Sequence, residues 1–403
     1  MVEIMKIKSI LIMLFSVTLL GLLIATIVWG ILYIMNLGIY LLWDTPLFDS
    51  PFYPVIICSF GGLLVGLLQK KVGPYPQEMQ TVLADLKKNH SFNYSTVPVL
   101  IICALVPLIF GGSLGPEAGL TGVIAGLCYW LSDRVKGIWH DIHNLADIGI
   151  SAALSIIFHA PLFGFVNTIE SEEDAQTFAL PKKFQTLLYF IAIISGLGLF
   201  KFLRTTLGGG SGMGSFSNFS MGYKEWLFMI PLALIGGLTG NLFFLFKKGI
   251  RHLLLPLKDK LIFRAILGGL VLGLFGTFLP FTLFAGEEQL TLLMDSWSQL
   301  SFALLLIIGI SKLFVSSFCL ESGWRGGHIF PVIFSGASLG YAFSLILPIN
   351  PIFGVAVMCA ALTASILKKP LASVMVLLLC FPVSALLPLL GGAMIGSILQ
   401  FSD

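Results

Sequence analysis

Between Val97 and Ser132 the chain carries one charged residue, Glu117, and in the middle of that apolar stretch runs Phe110-Gly111-Gly112-Ser113-Leu114-Gly115-Pro116-Glu117-Ala118-Gly119. In lipid, non-helical backbone survives only where protein or a water-filled cavity satisfies its N–H and C=O groups. A glycine-rich break inside an apolar stretch therefore constrains the fold more than the apolar runs themselves: two helices must end within protein, at a place built to receive something polar. A second break reads Glu321-Ser322-Gly323-Trp324-Arg325-Gly326-Gly327-His328-Ile329-Phe330-Pro331. In both, glycine lets the backbone bend and approach closely. Pro116 and Pro331 then supply a fixed φ at the expected first position of a helix whose leading N–H groups have no internal partner. The two breaks predict half-helices aimed at one buried site.

Composition decides what surrounds that site. Of 403 residues 57% are hydrophobic and 11% charged, and the mean hydropathy is +0.97, which excludes a soluble globular domain. A net charge of +3 without a basic tail gives nucleic acid no footing; the partner is the lipid bilayer. From Ile10 to Leu42 there is no charged residue. That run exceeds the roughly 20 residues a span needs, so it must tilt, break or overhang. It is also far longer than the core of a cleaved signal peptide, and no small-x-small site closes it. Lys6, Lys8, Lys70, Lys71, Lys87, Lys88 and the cluster Lys247, Lys248, Arg251, Lys258, Lys260 and Arg264 favour the cytoplasmic side. Asp44, Asp49, Glu287 and Glu288 lie in loops poor in positive charge. The amino terminus is expected inside, in a plasma (inner) membrane, although Lys201 and Arg204 do not follow the pattern. The six cysteines lie in or beside apolar segments without metal-type spacing, so they read as buried free thiols, and no metal or cofactor is expected.

The apolar segments are uneven, several being shorter than a full span, as partial and re-entrant helices are. A repeat runs through them. After the first break come Ala152-Ala153-Leu154 and Ala160-Pro161-Leu162; after the second come Ala360-Ala361-Leu362 and Lys369-Pro370-Leu371. The chain thus reads as a single transmembrane domain over 1–403 whose halves, about 50–204 and 224–400, are copies, with no cytoplasmic regulatory domain. Gly208 to Gly222 reads as a Gly/Ser-rich mobile connector.

Gly111-x-Ser113-x-Gly115 also matches the nucleophile elbow of hydrolases. That elbow needs a strand before the serine, and soluble His and Asp partners besides. Here a membrane segment precedes Ser113, so an intramembrane hydrolase is the remotest reading, and the chain is expected not to be an enzyme.

At these residues the chain resembles the CLC family of chloride channels and proton-coupled anion transporters, over nearly its whole length. Gly112-Ser113-Leu114-Gly115-Pro116 stands where that family has Gly-Arg-Glu-Gly-Pro. Gly327-His328-Ile329-Phe330-Pro331 stands where it has Gly-x-Phe-x-Pro, and Ser322 to Gly327 preserves its Ser-Gly-x-x-Gly lead. Val72-Gly73-Pro74-Tyr75-Pro76 replaces Gly-Ser-Gly-Ile-Pro, with Pro76 lying 40 residues before Pro116. The resemblance implies an all-α polytopic membrane protein of inverted-repeat architecture with re-entrant and partial helices. It further implies a homodimer with one pore per subunit, and chloride or another small anion held mid-membrane by helix N-termini. Carried onto this sequence, the anion-binding residues are Gly73, Pro74, Tyr75, Ser113, Leu114, Gly115, Pro116, Gly327, His328, Ile329, Phe330 and Pro331. Physical chemistry points the same way. A helix start offers about half a positive charge and N–H donors, replacing an anion's hydration without a full charge in lipid, whereas a fixed lysine in contact would slow the ion's exit. The backbone at His328 and Ile329 is the expected point of contact, and Ser113 to Gly115 the outer path.

The departures from the family carry equal weight. Its gating glutamate falls on Leu114, which cannot titrate. Its inner serine falls on Gly73, and the sequence stops at Asp403, before the helix that would bring the inner tyrosine. Its proton-transfer glutamate falls near Ser171, flanked by Glu170 and Glu172. Glu117 is either an acid favoured by the dipole of the helix it opens or a displaced gate. His159 and His328 are expected to be packed or capping residues. Lys312 is expected to pair with a helix C-terminus or with an acid such as Glu321, while Glu321 and Arg325 are candidates to pair at the break. The resulting expectation is an anion channel or uniporter. The alternative is a proton-coupled antiporter of chloride or fluoride using Glu117 as gate and Glu170 or Glu172 as proton path. Fluoride stays open because a fluoride-exporting branch of the family also lacks the inner serine.

Overall fold

Apolar sequence without strand-type alternation folds here into helices throughout. A computed structural model describes residues 2–46, 49–77, 81–82, 85, 92–135, 142–158, 160–164, 166, 170, 182–209 and 214–399. The helices run in order α1 (Val2–Ile39), α2 (Tyr53–Val72), α3 (Val97–Ile109), α4 (Glu117–Val135), α5 (Ile142–Ile157), α6 (Lys182–Leu207) and α7 (Tyr223–Leu254). There follow α8 (Leu261–Phe278), α9 (Glu287–Ser296), α10 (Phe302–Ser322), α11 (Ile329–Ile346), α12 (Pro351–Leu367), α13 (Pro370–Leu377) and α14 (Leu386–Ile398). Seven helical stretches among the described residues are long and apolar enough to cross a membrane, and five apolar helical stretches are shorter than a full span. The fold is therefore all-α and polytopic, with partial helices among the full ones.

The chain divides into two compact units: Met1–Leu37 with Pro76–Ile102 and Glu117–Gly210, and Gly38–Tyr75 with Cys103–Pro116 and Ser211–Asp403. In the first, α5 ends where the Ser155 hydroxyl meets the Tyr189 hydroxyl at 2.7 Å and accepts the Gly164 N–H at 3.1 Å, while Tyr189 donates to the Pro161 carbonyl at 3.0 Å. These bonds satisfy the backbone freed at the proline that follows the helix.

In the second unit, small residues set the packing. Lipid tails are as apolar as leucine, so helices associate through close backbone approach and van der Waals fit. A Cβ added at Gly66 of α2 would lie 2.6 Å from the Ile262 Cα, and one at Gly273 of α8 would lie 2.5 Å from the Val55 Cα. Glycines from both helices thus line one seam. Helices α11 and α12 are buried over most of their length. The serines of α11 are satisfied within protein, Ser335 donating to the Gly309 carbonyl at 2.8 Å and Ser338 to the Leu305 carbonyl at 2.7 Å.

Several expectations are refined here. The uncharged run from Ile10 is one unbroken helix that ends in a wide π-type turn, Tyr40–Asp44. The connector is not wholly mobile: Phe216 is buried, stacks on Phe381 at 4.3 Å and donates its N–H to the Cys380 carbonyl at 2.7 Å. All six cysteines are buried free thiols. Pro116 lies in the turn just before α4, and Pro331 is the third residue of α11, so neither occupies the first helical position.

Overpacking the glycine seam tests this account of the fold. Gly273→Leu is expected to destabilise the protein by about 2 kcal/mol or more, read as earlier loss of folded protein on heating in detergent. Gly249→Leu is the control and is expected to be neutral, because a Cβ at Gly249 meets nothing within 4 Å.

Candidate functional site

The first break follows α3, which contains Pro107 and ends at Ile109. Gly112 donates its N–H to the Pro107 carbonyl at 2.8 Å, and Leu114 donates to the Gly112 carbonyl at 2.7 Å, a tight turn. Gly111 sits at φ +83°, a conformation that favours glycine. Its carbonyl accepts the Phe284 N–H at 3.0 Å, while Trp43 Nε1 holds the Ile109 carbonyl at 3.0 Å.

The second break begins at Gly323, left-handed at φ +103°, which ends α10. Trp324 is fully buried, donating its N–H to the Cys319 carbonyl and its Nε1 to the Ala265 carbonyl, both at 2.9 Å. The Gln69 amide of α2 donates to the Gly323 carbonyl. Helix α11 starts at Ile329 with His328 in the capping position, and the His328 side chain makes no cap. Its ring lies 5.3 Å from that of Phe243.

The breaks meet. Gly115 and Gly327 each donate an N–H to the other's carbonyl at 2.8 Å, forming an isolated antiparallel bridge. Residues 111 to 120 are all buried, Leu114 with no exposure, and Leu114 faces Gly326, where an added Cβ would lie 2.7 Å from its Cβ. The Ser113 and Ser316 hydroxyls lie 2.9 Å apart in the interior. Leu114 and Gly115 of the first break thus lie against Gly326 and Gly327 of the second.

Gly73 ends α2 at φ +103°; it donates to the Gln69 carbonyl and accepts from the Tyr75 N–H, both at 2.9 Å. Gly73, Pro74 and Tyr75 thus form the turn after a helix, and no described hydrogen bond ties them to either break. Glu117 opens α4 in the other unit, 1% exposed, and its carbonyl accepts the Thr121 hydroxyl at 2.6 Å. Glu170 is half-buried in a turn, while His159, Ser171 and Glu172 lie outside the described residues.

Two pairings differ from expectation. Glu321 does not meet Arg325: it accepts Nε and Nη2 of Arg251, each at 3.0 Å, in a bidentate pair. Lys312 does not meet Glu321 either. Its Nζ donates to the carbonyls of Leu283 and Phe284 at 2.8 and 2.7 Å and approaches those of Phe281 and Thr282 at 3.2 Å. Ser316, Trp324 and Gln69 were not among the sequence candidates. The signal for the first was its place one turn after Lys312, on the same face of α10.

The family model for the voltage gated chloride channel matches residues 61–400. The chain belongs to the CLC family. Curated CLC relatives include the ion-transport protein YfeO of Escherichia coli strain IAI39, 25% identical over 323 residues that cover 78% of this chain and 73% of the relative, and the Escherichia fergusonii protein of that name with the same figures. Among solved CLC structures, a CLC-type fluoride/proton antiporter superimposes with a TM-score of 0.77 at 17% identity, over 96% of this chain and 95% of that one. A slow cyanobacterial Cl−/H+ antiporter gives 0.78 at 18%, over 96% and 93%. At such identities these structures show the fold alone. The protein is accordingly a CLC-family anion transporter and an integral multi-pass membrane protein. The hydrolase reading gains nothing, since helix α3 rather than a strand leads to Ser113, whose hydroxyl lies against Ser316.

Gly326→Val is expected to cut anion flux at least tenfold, because its branched side chain must displace Leu114 from the close-packed break. Flux from reconstituted vesicles, normalised to folded protein, checks this.

Proposed function

We propose that the chain passes a small anion, with chloride the default, down its gradient as a channel or uniporter rather than in exchange for protons. Leu114 carries this reading. It stands at the position of the family's titrating gate, in the tight turn before the Gly115–Gly327 bridge, with no exposed surface. A side chain that cannot bind a proton cannot alternate between blocking the anion and carrying a proton. The anion is held by backbone donors at the start of α11, where the helix dipole favours negative charge. No covalent step is involved. The working unit is a homodimer in the inner membrane, a reading that rests on family membership.

The second reading keeps proton coupling through Glu117. It is favoured by the burial of that carboxylate three residues after Leu114 and by the antiport of fluoride or chloride against protons in the two solved proteins that share the fold. Fluoride is then as eligible a cargo as chloride.

Vesicles loaded with chloride or fluoride, with the potential clamped and a pH probe inside, separate the two. The uniporter reading predicts anion efflux with no uphill proton movement. Uphill proton movement at a fixed ratio that vanishes in Glu117→Gln would replace it with the antiporter. Leu114→Glu should create a gate: the carboxylate is ionised above its pKa, ordinarily about 4.3, so flux should be several-fold lower at pH 7.5 than at pH 4.5, whereas the wild type stays flat.

A further inference from the structure

Thr363, near the end of α12, is fully buried, and its Oγ1 has no hydrogen-bond partner among the described residues. Helix threonines ordinarily turn the hydroxyl onto a carbonyl of the preceding turn. Thr18, Thr26, Thr121, Thr239 and Thr277 each do so, donating to the carbonyl four residues back at 2.6 to 2.9 Å. Thr363 bonds no such carbonyl. The buried serines near it are satisfied, Ser335 and Ser338 by carbonyls of α10 and Ser365 by the Leu362 carbonyl at 2.9 Å. A buried donor left unmet destabilises a fold, so this hydroxyl calls for a partner that arrives with function.

The packing of α12 on α11, within one compact unit, places it. The two helices run antiparallel: a Cβ at Gly340 would lie 2.4 Å from the Val355 Cα and one at Gly336 2.7 Å from the Cys359 Cα, while Cys359 Sγ donates to the Ile333 carbonyl at 3.3 Å. One turn onward along α12 and one turn back along α11, the same faces bring Thr363 to Val332. Val332 closes the first turn of α11 by donating its N–H to the His328 carbonyl at 3.1 Å. The start of that helix at Ile329 is three residues, about 4.5 Å, away, close enough for one ion to meet both. We infer that the Thr363 hydroxyl is a second donor to the transported anion, acting beside the backbone donors at the start of α11. A helix start offers positive potential and N–H groups from one side only; the neighbouring helix adds a donor from another. This deepens the proposed function and rests on its anion site, which the uniporter and antiporter readings share. It also sets the class of ion, because an O–H donates most strongly to a compact halide of high charge density and weakly to a large, diffuse one.

Calorimetric titration of the detergent-solubilised protein with chloride and iodide, together with melting in anion-free buffer, tests the inference in two matched pairs. Wild type is set against Thr363→Val, and Thr363→Ser against Thr363→Ala, so that each pair differs at the hydroxyl. Loss of the hydroxyl is expected to weaken chloride about tenfold, the scale of one hydrogen bond to an ion, and iodide by less. Without anion, Thr363→Val should melt at or above the wild-type temperature, since it removes the unmet donor. Chloride affinities within twofold in either folded pair overturn the inference, the result that a buried water on the hydroxyl would give. A loss equal for chloride and iodide overturns it too, as does a lower melting temperature with affinity unchanged, which marks a hydroxyl that serves the fold alone. Should Thr363→Val not fold, the serine and alanine variants decide. A wild type that binds no chloride would instead sink the proposed function.

Discussion

Two hydrogen bonds between Gly115 and Gly327 tie the two breaks to one another. Each break is non-helical backbone in a protein interior, where every unsatisfied N–H or C=O costs about 1–3 kcal/mol. By exchanging both bonds at 2.8 Å the breaks satisfy one another at that point. The pairing also registers them: α11 begins two residues after Gly327, and Pro116 follows Gly115 directly.

Helix α10 sets the Ser316 hydroxyl against Ser113 of the first break and the Lys312 ammonium against the carbonyls of Phe281 to Phe284. The acid nearest the second break, Glu321, is drawn off to Arg251 on α7. The carboxylate beside the second break is therefore matched by a guanidinium from another helix.

The breaks themselves were legible because glycine and proline punctuate apolar sequence in only a few ways, and family membership followed from them. Partners far apart in sequence were not. Ser113 and Ser316 lie 203 residues apart, and the acceptors around Lys312 are backbone carbonyls, which leave no mark on sequence. Glu321 and Arg325 read as candidates to pair at the break, but Gly323 ends α10 in a left-handed turn and the helical register is lost before Arg325. Arg251, on another helix, has the right face. The connector after α6 was correctly placed by its Gly and Ser content, yet that composition hid Phe216, whose stacking on Phe381 pins it.

The central claim is that an anion binds at the paired breaks through backbone donors. Anomalous diffraction from crystals grown in bromide tests it most directly. The account predicts a bromide peak within about 4 Å of the backbone nitrogens at the start of α11, beside the Gly115–Gly327 bridge, as hydrogen bonding to N–H donors requires. A protein active in bromide flux whose bromide peaks all lie away from both breaks would contradict it.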